Sequence, residues 1–526
     1  MSLGYFFRGK RAPYKRSFLG QRLLAVVLSI CLFWVMGVQT VWADEISPST
    51  HSIQPYLKRV AREITEFTLD NGMRFIVLER HRAPVVSFLI YADVGGVNEP
   101  DGQTGVAHYL EHLAFKGTQK IGTTNYQAEK PLLDQQDQVF EQIKQAKAEG
   151  NTEKVQQLMA ELEKLISEAD QYVKQNEFGR IVEQSGGVGM NAMTSTDATS
   201  YFYSLPANKL ELWMSLESER FLEPVFREFY KEKQVILEER RLRTDNSPVG
   251  QMVEAFSATA FKVHPYRRPV IGYVEDLENL TRQNVKDFFE TYYVPNNLTA
   301  VIVGNVNPNE VKRLAEIYFG RYTAKPKPPR LNIVEPPQTE PREITLKLKT
   351  QPWYFEGYPA PAINHPDAVI YNMISSLLSY GRTSRLYKSL VEDQKIALSA
   401  QGSSGYPGDK YPNLMLFYAM PAPDHTVDEV ATALRREIER FKTELVSETE
   451  LERVKTQAKA GLLRSLDSNM GMAFALAEYE VKTGSWVNLF EQLEKIDALT
   501  PQDIQRVAQT MFRPETRTVG RLLPDE

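Results

Sequence analysis

Two histidines four residues apart, with a glutamate just before the second, are the residues of this 526-residue chain best placed to do chemistry: His108-Tyr-Leu-Glu111-His112. On a helix, residues four apart lie one turn above one another on the same face, so both imidazoles can close on one metal ion. Glu111, three residues past His108, projects beside that face, where a carboxylate can serve as general base on a water. The order is the inverse of His-Glu-x-x-His and matches the His-x-x-Glu-His arrangement of inverzincin hydrolases. The chain has seven histidines in all, so this spacing around a glutamate outweighs the alternative of two surface histidines.

The flanking residues suit the motif. A glycine-rich loop from Gly95 gives way at Thr104 to an expected helix, with Val106, Leu110 and Leu113 at helical spacing. Before it, residues 85–94 read as a strand buried on both faces. Zinc hydrolases use three protein ligands and leave one position open, so a third ligand must come from elsewhere. The best source is residues 228–243, a second expected helix, where Glu232 and Glu239 stand seven apart on one face and Val235 and Ile236 supply the buried stripe. A solvated charged face is the alternative for that run.

Together these segments resemble the pitrilysin-type (M16) zinc peptidases. The resemblance covers most of residues 64–525. It implies that His108 and His112 ligate Zn2+, one ion per chain, and that Glu111 is the base. It implies further that Glu239 rather than Glu238 is the third ligand and that Glu232 supports it from behind. Residues 186–201 resemble the segment whose edge strand receives substrate backbone, with Asn191 and Ala192 as the contacts. As ordinary sheet, the same stretch is a half-buried surface. The fold implied is α+β: two duplicated metallopeptidase-like domains, each a sheet packed with helices, facing each other across a chamber.

The chain carries its own sign of duplication. Residues 280–285 lead to 293–299 as residues 499–504 lead to 512–518, an offset of 219 throughout, with a helix, a proline turn and a strand in both copies. A proline-rich stretch separates them. The expected organisation is a signal peptide (1–43), an extension (44–63), a catalytic domain (64–324), a linker (325–342) and a second domain (343–526) without chemistry. The second domain has no His-x-x-Glu-His, and His365 and His425 are isolated in expected loops. The family's Arg and Tyr that grip substrate align with Val391 and Leu398. That departure implies a homo- or heterodimer with a related subunit carrying the pair. An insertion, residues 126–178, reads as a helical hairpin with apolar stripes Leu132, Val139, Phe140, Ile143, Ala146 and Val155, Leu158, Met159, Leu162, Leu165, Ile166. Its first arm, from Leu132 to Ala148, would be roughly 25 Å long.

Residues 1–43 hold six basic and no acidic residues, so the chain's 62 basic and 67 acidic groups leave 56 against 67 beyond them. Nothing there forms the basic stripe that nucleic acid requires. The apolar run from Leu23 to Val38, followed by Val41-Trp-Ala43, reads as an export signal cleaved after Ala43, or as a membrane anchor if kept. The one cysteine, Cys31, lies inside it, so a cleaved chain has neither disulfides nor thiolate ligands. The expected function is hydrolysis of peptides or unfolded segments in an exported, periplasmic or secretory setting. The alternatives are a binding or assembly subunit and a membrane-anchored peptide-binding protein.

Overall fold

The computed structural model describes residues 59–525; the expectations for the signal segment and Cys31 fall outside them. No described helix is long and apolar enough to cross a membrane.

Two mixed sheets organise the chain. The first has the order β1-β2-β6-β3-β5-β4, where β1 is Ile64–Thr68, β2 Arg74–Glu79, β3 Val85–Ala92, β4 Val188–Thr194, β5 Thr199–Pro206 and β6 Leu298–Gly304. The second has the order β7-β11-β8-β10-β9, with β7 Arg342–Leu348, β8 Trp353–Ala360, β9 Ala397–Tyr406, β10 Asn413–Pro421 and β11 Thr518–Pro524. Five strands correspond one to one. β6 lies parallel to β2 and antiparallel to β3, as β11 lies parallel to β7 and antiparallel to β8. The central strands are buried on both faces because helices cover them: all seven residues of β6 are buried.

The ligand helix α1, Val106–Leu113, follows β3. It starts two residues later than the sequence suggested, because Gly105 takes a left-handed φ of 87° and forms the N-cap. A Cβ there would lie 2.7 Å from the Ile271 carbonyl oxygen, so only glycine fits. Buried Glu99 satisfies the buried N-terminus of α1, accepting from Gly105 N and Ala107 N, both at 2.9 Å. Burial pushes Glu99 up to about 8, against these donors and the charge of Arg268.

The insertion is a hairpin of α2, Tyr126–Ala148, and α3, Thr152–Asp170. The first arm is longer than the stripe alone indicated. Asn125 caps it, and Pro131, six residues in, lacks the N–H that would donate to the Gln127 carbonyl. Val139, Ile143, Ala146, Leu158 and Leu165 pack between the arms, while Met159 is exposed. Phe140 turns instead onto a later helix, α4, Phe229–Arg240, against Tyr230 at 4.9 Å between ring centroids. Glu129 of α2 pairs with fully buried Arg227 at 2.8 Å, and Arg227 donates to the carbonyls of Lys116, Thr118 and Ile121 just beyond α1. The hairpin thus supplies the counter-ion that fixes the junction between the two ligand helices.

The halves interlock reciprocally. Helix α5, Pro248–Ala260, lies on β7 and β11 of the second sheet, with Met252 and Phe256 in its core. A second-half helix, Asn469–Thr483, lies on β3 and β6 of the first sheet. Between the sheets the proline-rich stretch is held by Glu335, which accepts from the backbone N–H groups of Lys262, Val263 and His264.

Candidate metal centre

α1 and α4 bring three ligand groups to one point. The donor atoms of His108, His112 and Glu239 all lie within 4.8 Å of one another. His108 Nε2 is 3.7 Å from Glu239 Oε1, and His112 Nε2 is 3.6 Å from Oε2. These separations are too long for hydrogen bonds. They are close to the edge of a tetrahedron with bonds of about 2.0–2.1 Å, the spacing that a zinc ion bound by imidazole and carboxylate needs. The donor set therefore fits zinc.

Each group is prepared for that role. His108 is 8% exposed, and burial, with His112 and Arg243 nearby, lowers its pKa to about 3. The ring is thus kept neutral, with a lone pair free for a metal. Its Nδ1 is buried without a partner among the described residues. His112 Nδ1 meets Glu232 Oε2 at 3.2 Å, which turns Nε2 toward Glu239. Burial would lower His112, but Glu232, Glu111 and Glu239 together raise it. Burial would likewise raise Glu232, yet its bonds to His112 and Lys116 hold it below the usual range. Glu232 and Glu239, equivalent by spacing, take different jobs: one grips a ligand from behind and the other faces both rings.

Glu111 stands beside the trio. Burial raises its pKa, and the Thr194 hydroxyl, donating to Oε2 at 2.8 Å, partly offsets this. Asn191 and Ala192 lie on β4, the outermost strand of the first sheet. Ser195 N bonds the Ala198 carbonyl at the end of the β4–β5 ladder, so by antiparallel alternation Ala192 turns its N–H to the open edge, where the Asn191 side chain accepts from it at 2.9 Å. Sequence reasoning missed three residues here. They are Thr194, Lys116 (bonded to Glu228 and Glu232) and Arg243, whose guanidinium meets Glu239 Oε1 at 2.6 Å. Lys116 and Arg243 each lie four residues past a ligand, a helical spacing that could have flagged them. The expected burial of Val235 is corrected: it is 49% exposed. The inner face of α4 is formed by Phe229, Lys233, Ile236 and Arg240.

In the second half, His365 and His425 lie in loops, and Leu398 is 57% exposed on the outer strand β9.

Residues 74–141 and 161–273 match the insulinase (peptidase family M16) model, and residues 279–458 match the peptidase M16 inactive domain. The chain belongs to the M16 peptidase family. A curated relative is the zinc protease PqqE of Helicobacter pylori, 28% identical over 497 residues, covering 93% of this chain and 98% of the relative. A solved protease from Helicobacter pylori superposes with a TM-score of 0.74 at 28% identity, covering 88% of this chain and 99% of that one. The periplasmic protease PqqL of Escherichia coli shares the fold, with a TM-score of 0.66 at 18% identity over 88% of this chain and 47% of that one. With its own His108, His112 and Glu239, the chain is a zinc-type member of the family.

Proposed function

We propose that this chain is a zinc-dependent endopeptidase acting on peptides or unfolded segments, with Glu111 as general base. The observation that carries the reading is a carboxylate, Glu111, bonded to the Thr194 hydroxyl and set beside three ligand groups it does not join. A purely structural metal site needs no such group. His108, His112 and Glu239 would hold the ion, and Glu232 would orient His112. When bound, zinc supplies Lewis acidity toward water and the scissile carbonyl. Glu111 takes the proton of the attacking water and delivers it to the leaving amine nitrogen. Burial raises the pKa of Glu111, which suits a group that must hold a proton between those two events.

The substrate is proposed to add as a strand along β4, where the Ala192 N–H faces outward. Its backbone then supplies affinity, and pockets supply selectivity. A related subunit carrying the Arg/Tyr pair absent at Val391 and Leu398 is proposed to complete the substrate chamber. The apolar run from Leu23 to Val38, followed by Val41-Trp-Ala43, supports export to a periplasmic or secretory compartment.

The test is hydrolysis of a diverse unstructured peptide mixture by the purified chain from Asp44 onward, with and without chelator. Chelator-sensitive cleavage is expected, either from the chain alone or on adding a related subunit. A folded, zinc-loaded chain that cleaves nothing in either state would overturn the peptidase reading in favour of a binding role. Activity from a strictly monomeric preparation would remove the need for the subunit.

A further inference from the structure

The second half lines none of the metal centre, yet it grips the turn that holds the base. β4 ends at Thr194 and β5 begins at Thr199, so residues 195–198 make the turn between the edge strand and its neighbour. At the start of that turn the Thr194 hydroxyl donates to Glu111 Oε2 at 2.8 Å, and its backbone N–H also favours the carboxylate. Among the described residues, Thr194 is the hydrogen-bond donor to Glu111. The terminal torsion of a glutamate is broad and roughly two-fold, so burial alone does not decide where its oxygens point. Thr194 does.

The rest of the turn belongs to the interface between the halves. Asp197, 3% exposed, accepts from Asp409 N at 2.9 Å and Lys410 N at 3.0 Å through Oδ2, and from the Tyr266 hydroxyl at 2.7 Å through Oδ1. The Thr196 hydroxyl donates to the Pro407 carbonyl at 3.1 Å. From the opposite side Gly96 N and Val97 N donate to the carbonyls of Ser195 and Thr196. The turn is therefore pinned between the loop that precedes the ligand helix and a second-half loop, residues 407–411. Such a chain of buried, satisfied polar groups has little freedom, because breaking any one bond leaves a buried group unpaired.

We infer that Thr194 is a positioning residue for Glu111, and that the second half sets where Thr194 stands through Asp197 and the 407–411 loop. The inference rests on Glu111 being the base. It also gives the open edge an end point. Ala192 and Thr194 share one side of β4, since alternate residues of a strand point their backbone groups the same way. Among the described residues the Ala192 N–H is covered by its neighbour's side chain, whereas the next position on that side is turned to Glu111. A peptide pairing along β4 thus runs out at the base, so this half of the site fixes its register. The non-catalytic half then contributes to catalysis without touching substrate: it holds the turn still.

The test uses the full zinc-loaded chain. Thr194→Val, which keeps the shape and removes the hydroxyl, should lower kcat by about 10- to 100-fold, with KM and zinc content held within about two-fold. Thr194→Ser should restore kcat to within about three-fold. Asp197→Asn should lower kcat in the same direction at unchanged zinc content. It should also speed hydrogen exchange of the Thr194 amide by about ten-fold or more, a readout that needs no activity. Tyr266→Phe, which removes one hydroxyl, serves if Asp197→Asn does not fold. An unchanged kcat in Thr194→Val, or no rescue by serine, overturns the positioning role. Unchanged exchange and kcat in Asp197→Asn, or in Tyr266→Phe where that replaces it, overturn the link to the second half. Full activity of zinc-loaded Glu111→Gln would instead overturn the assignment of the base, leaving the exchange result to stand by itself.

Discussion

In the first half, the helix after β3 carries His108, Glu111 and His112; in the second, the helix after β8, α6 (Ala368–Ser379), carries Val369, Ile370, Met373, Ile374 and Leu377 against its core. The sheets behind them share five strands in the same order and sense. What differs is the cost each helix carries. α6 buries an apolar face, which stabilises by roughly 1.5–3 kcal/mol per large side chain. α1 buries Val106, Tyr109, Leu110 and Leu113 in its own core but also desolvates two imidazoles and a carboxylate, and the chain offsets that added cost locally. Glu99 caps the N-terminus of α1, Glu232 pairs with His112 and Thr194 bonds Glu111. The scaffold is indifferent to chemistry, and the site is a set of polar contacts added to one copy of it.

The comparison is broken most severely by removing the proton carrier. Glu111→Gln keeps the shape and the zinc, and should lower kcat by about 10²–10⁴-fold, as measured on a peptide cut by the parent chain. Replacing both His365 and His425 by Gln should leave zinc at one ion per chain by metal analysis. If the second-half variant lost zinc or activity, the halves would not divide their roles as described.

How much of this could be read from the sequence depends on distance along the chain. His108, Glu111 and His112 are legible because helical periodicity is local. The repeat is legible because it is written in caps and proline turns, now seen as Thr281 and Thr500 each closing a capping box. α4 misled the apolar reading at Val235. Its inner face includes Lys233 and Arg240, long side chains whose stems lie in the core while their charged ends reach the Leu280 and Gly272 carbonyls. Spacing could not choose between Glu232 and Glu239, since both project from one side of the helix and only the approach of α1 separates them. Thr194 and Asp197 were out of reach: their partners lie 83 and 212 residues away.

Acid should test the seam between the halves next. His264 is 3% exposed, packed against Phe261, Tyr266 and, across the seam, Tyr411, with Nε2 unpartnered among the described residues. Burial lowers its pKa to about 4, from 6.5. The unfolded chain therefore binds the extra proton first. The stability contributed by the neutral ring is complete above about 6.5 and falls as the pH drops toward 4, by up to about 3 kcal/mol. Urea unfolding at pH 7 and pH 4.5 should show His264→Gln losing less stability than the parent across that interval. Equal losses would mean that the seam tolerates a charged ring.

A smaller effect should separate the two glutamates of α4. Glu232→Gln removes the charge behind His112 but no ligand, so zinc affinity should fall by about 10–100-fold in a chelator competition. Saturating zinc should then restore most of kcat, whereas no amount of zinc should rescue Glu239→Gln to the same degree. Equivalent behaviour of the two variants would erase the distinction that the contacts of α1 draw between them.

The finest comparison uses the repeat itself. Thr281 caps the helix Arg282–Tyr292, accepting from Asn284 N at 3.1 Å, and Thr500 caps the helix Pro501–Met511, accepting from Asp503 N at 3.2 Å. Thr→Ala at either site should cost about 1 kcal/mol in urea unfolding, and the double variant should show the sum, since the two caps share no partner. Activity should not follow the same symmetry. The carbonyl of Leu280, next to the first cap, accepts from Lys233 Nζ at 2.7 Å, and Lys233 belongs to the helix that carries Glu232 and Glu239. Loosening the first cap therefore loosens a support of the ligand helix, while no corresponding lysine bond joins the second cap to a metal ligand among the described residues. A few-fold loss of kcat/KM in Thr281→Ala, against none in Thr500→Ala at equal stability cost, would show one ancestral device kept in both halves but coupled to chemistry in only one.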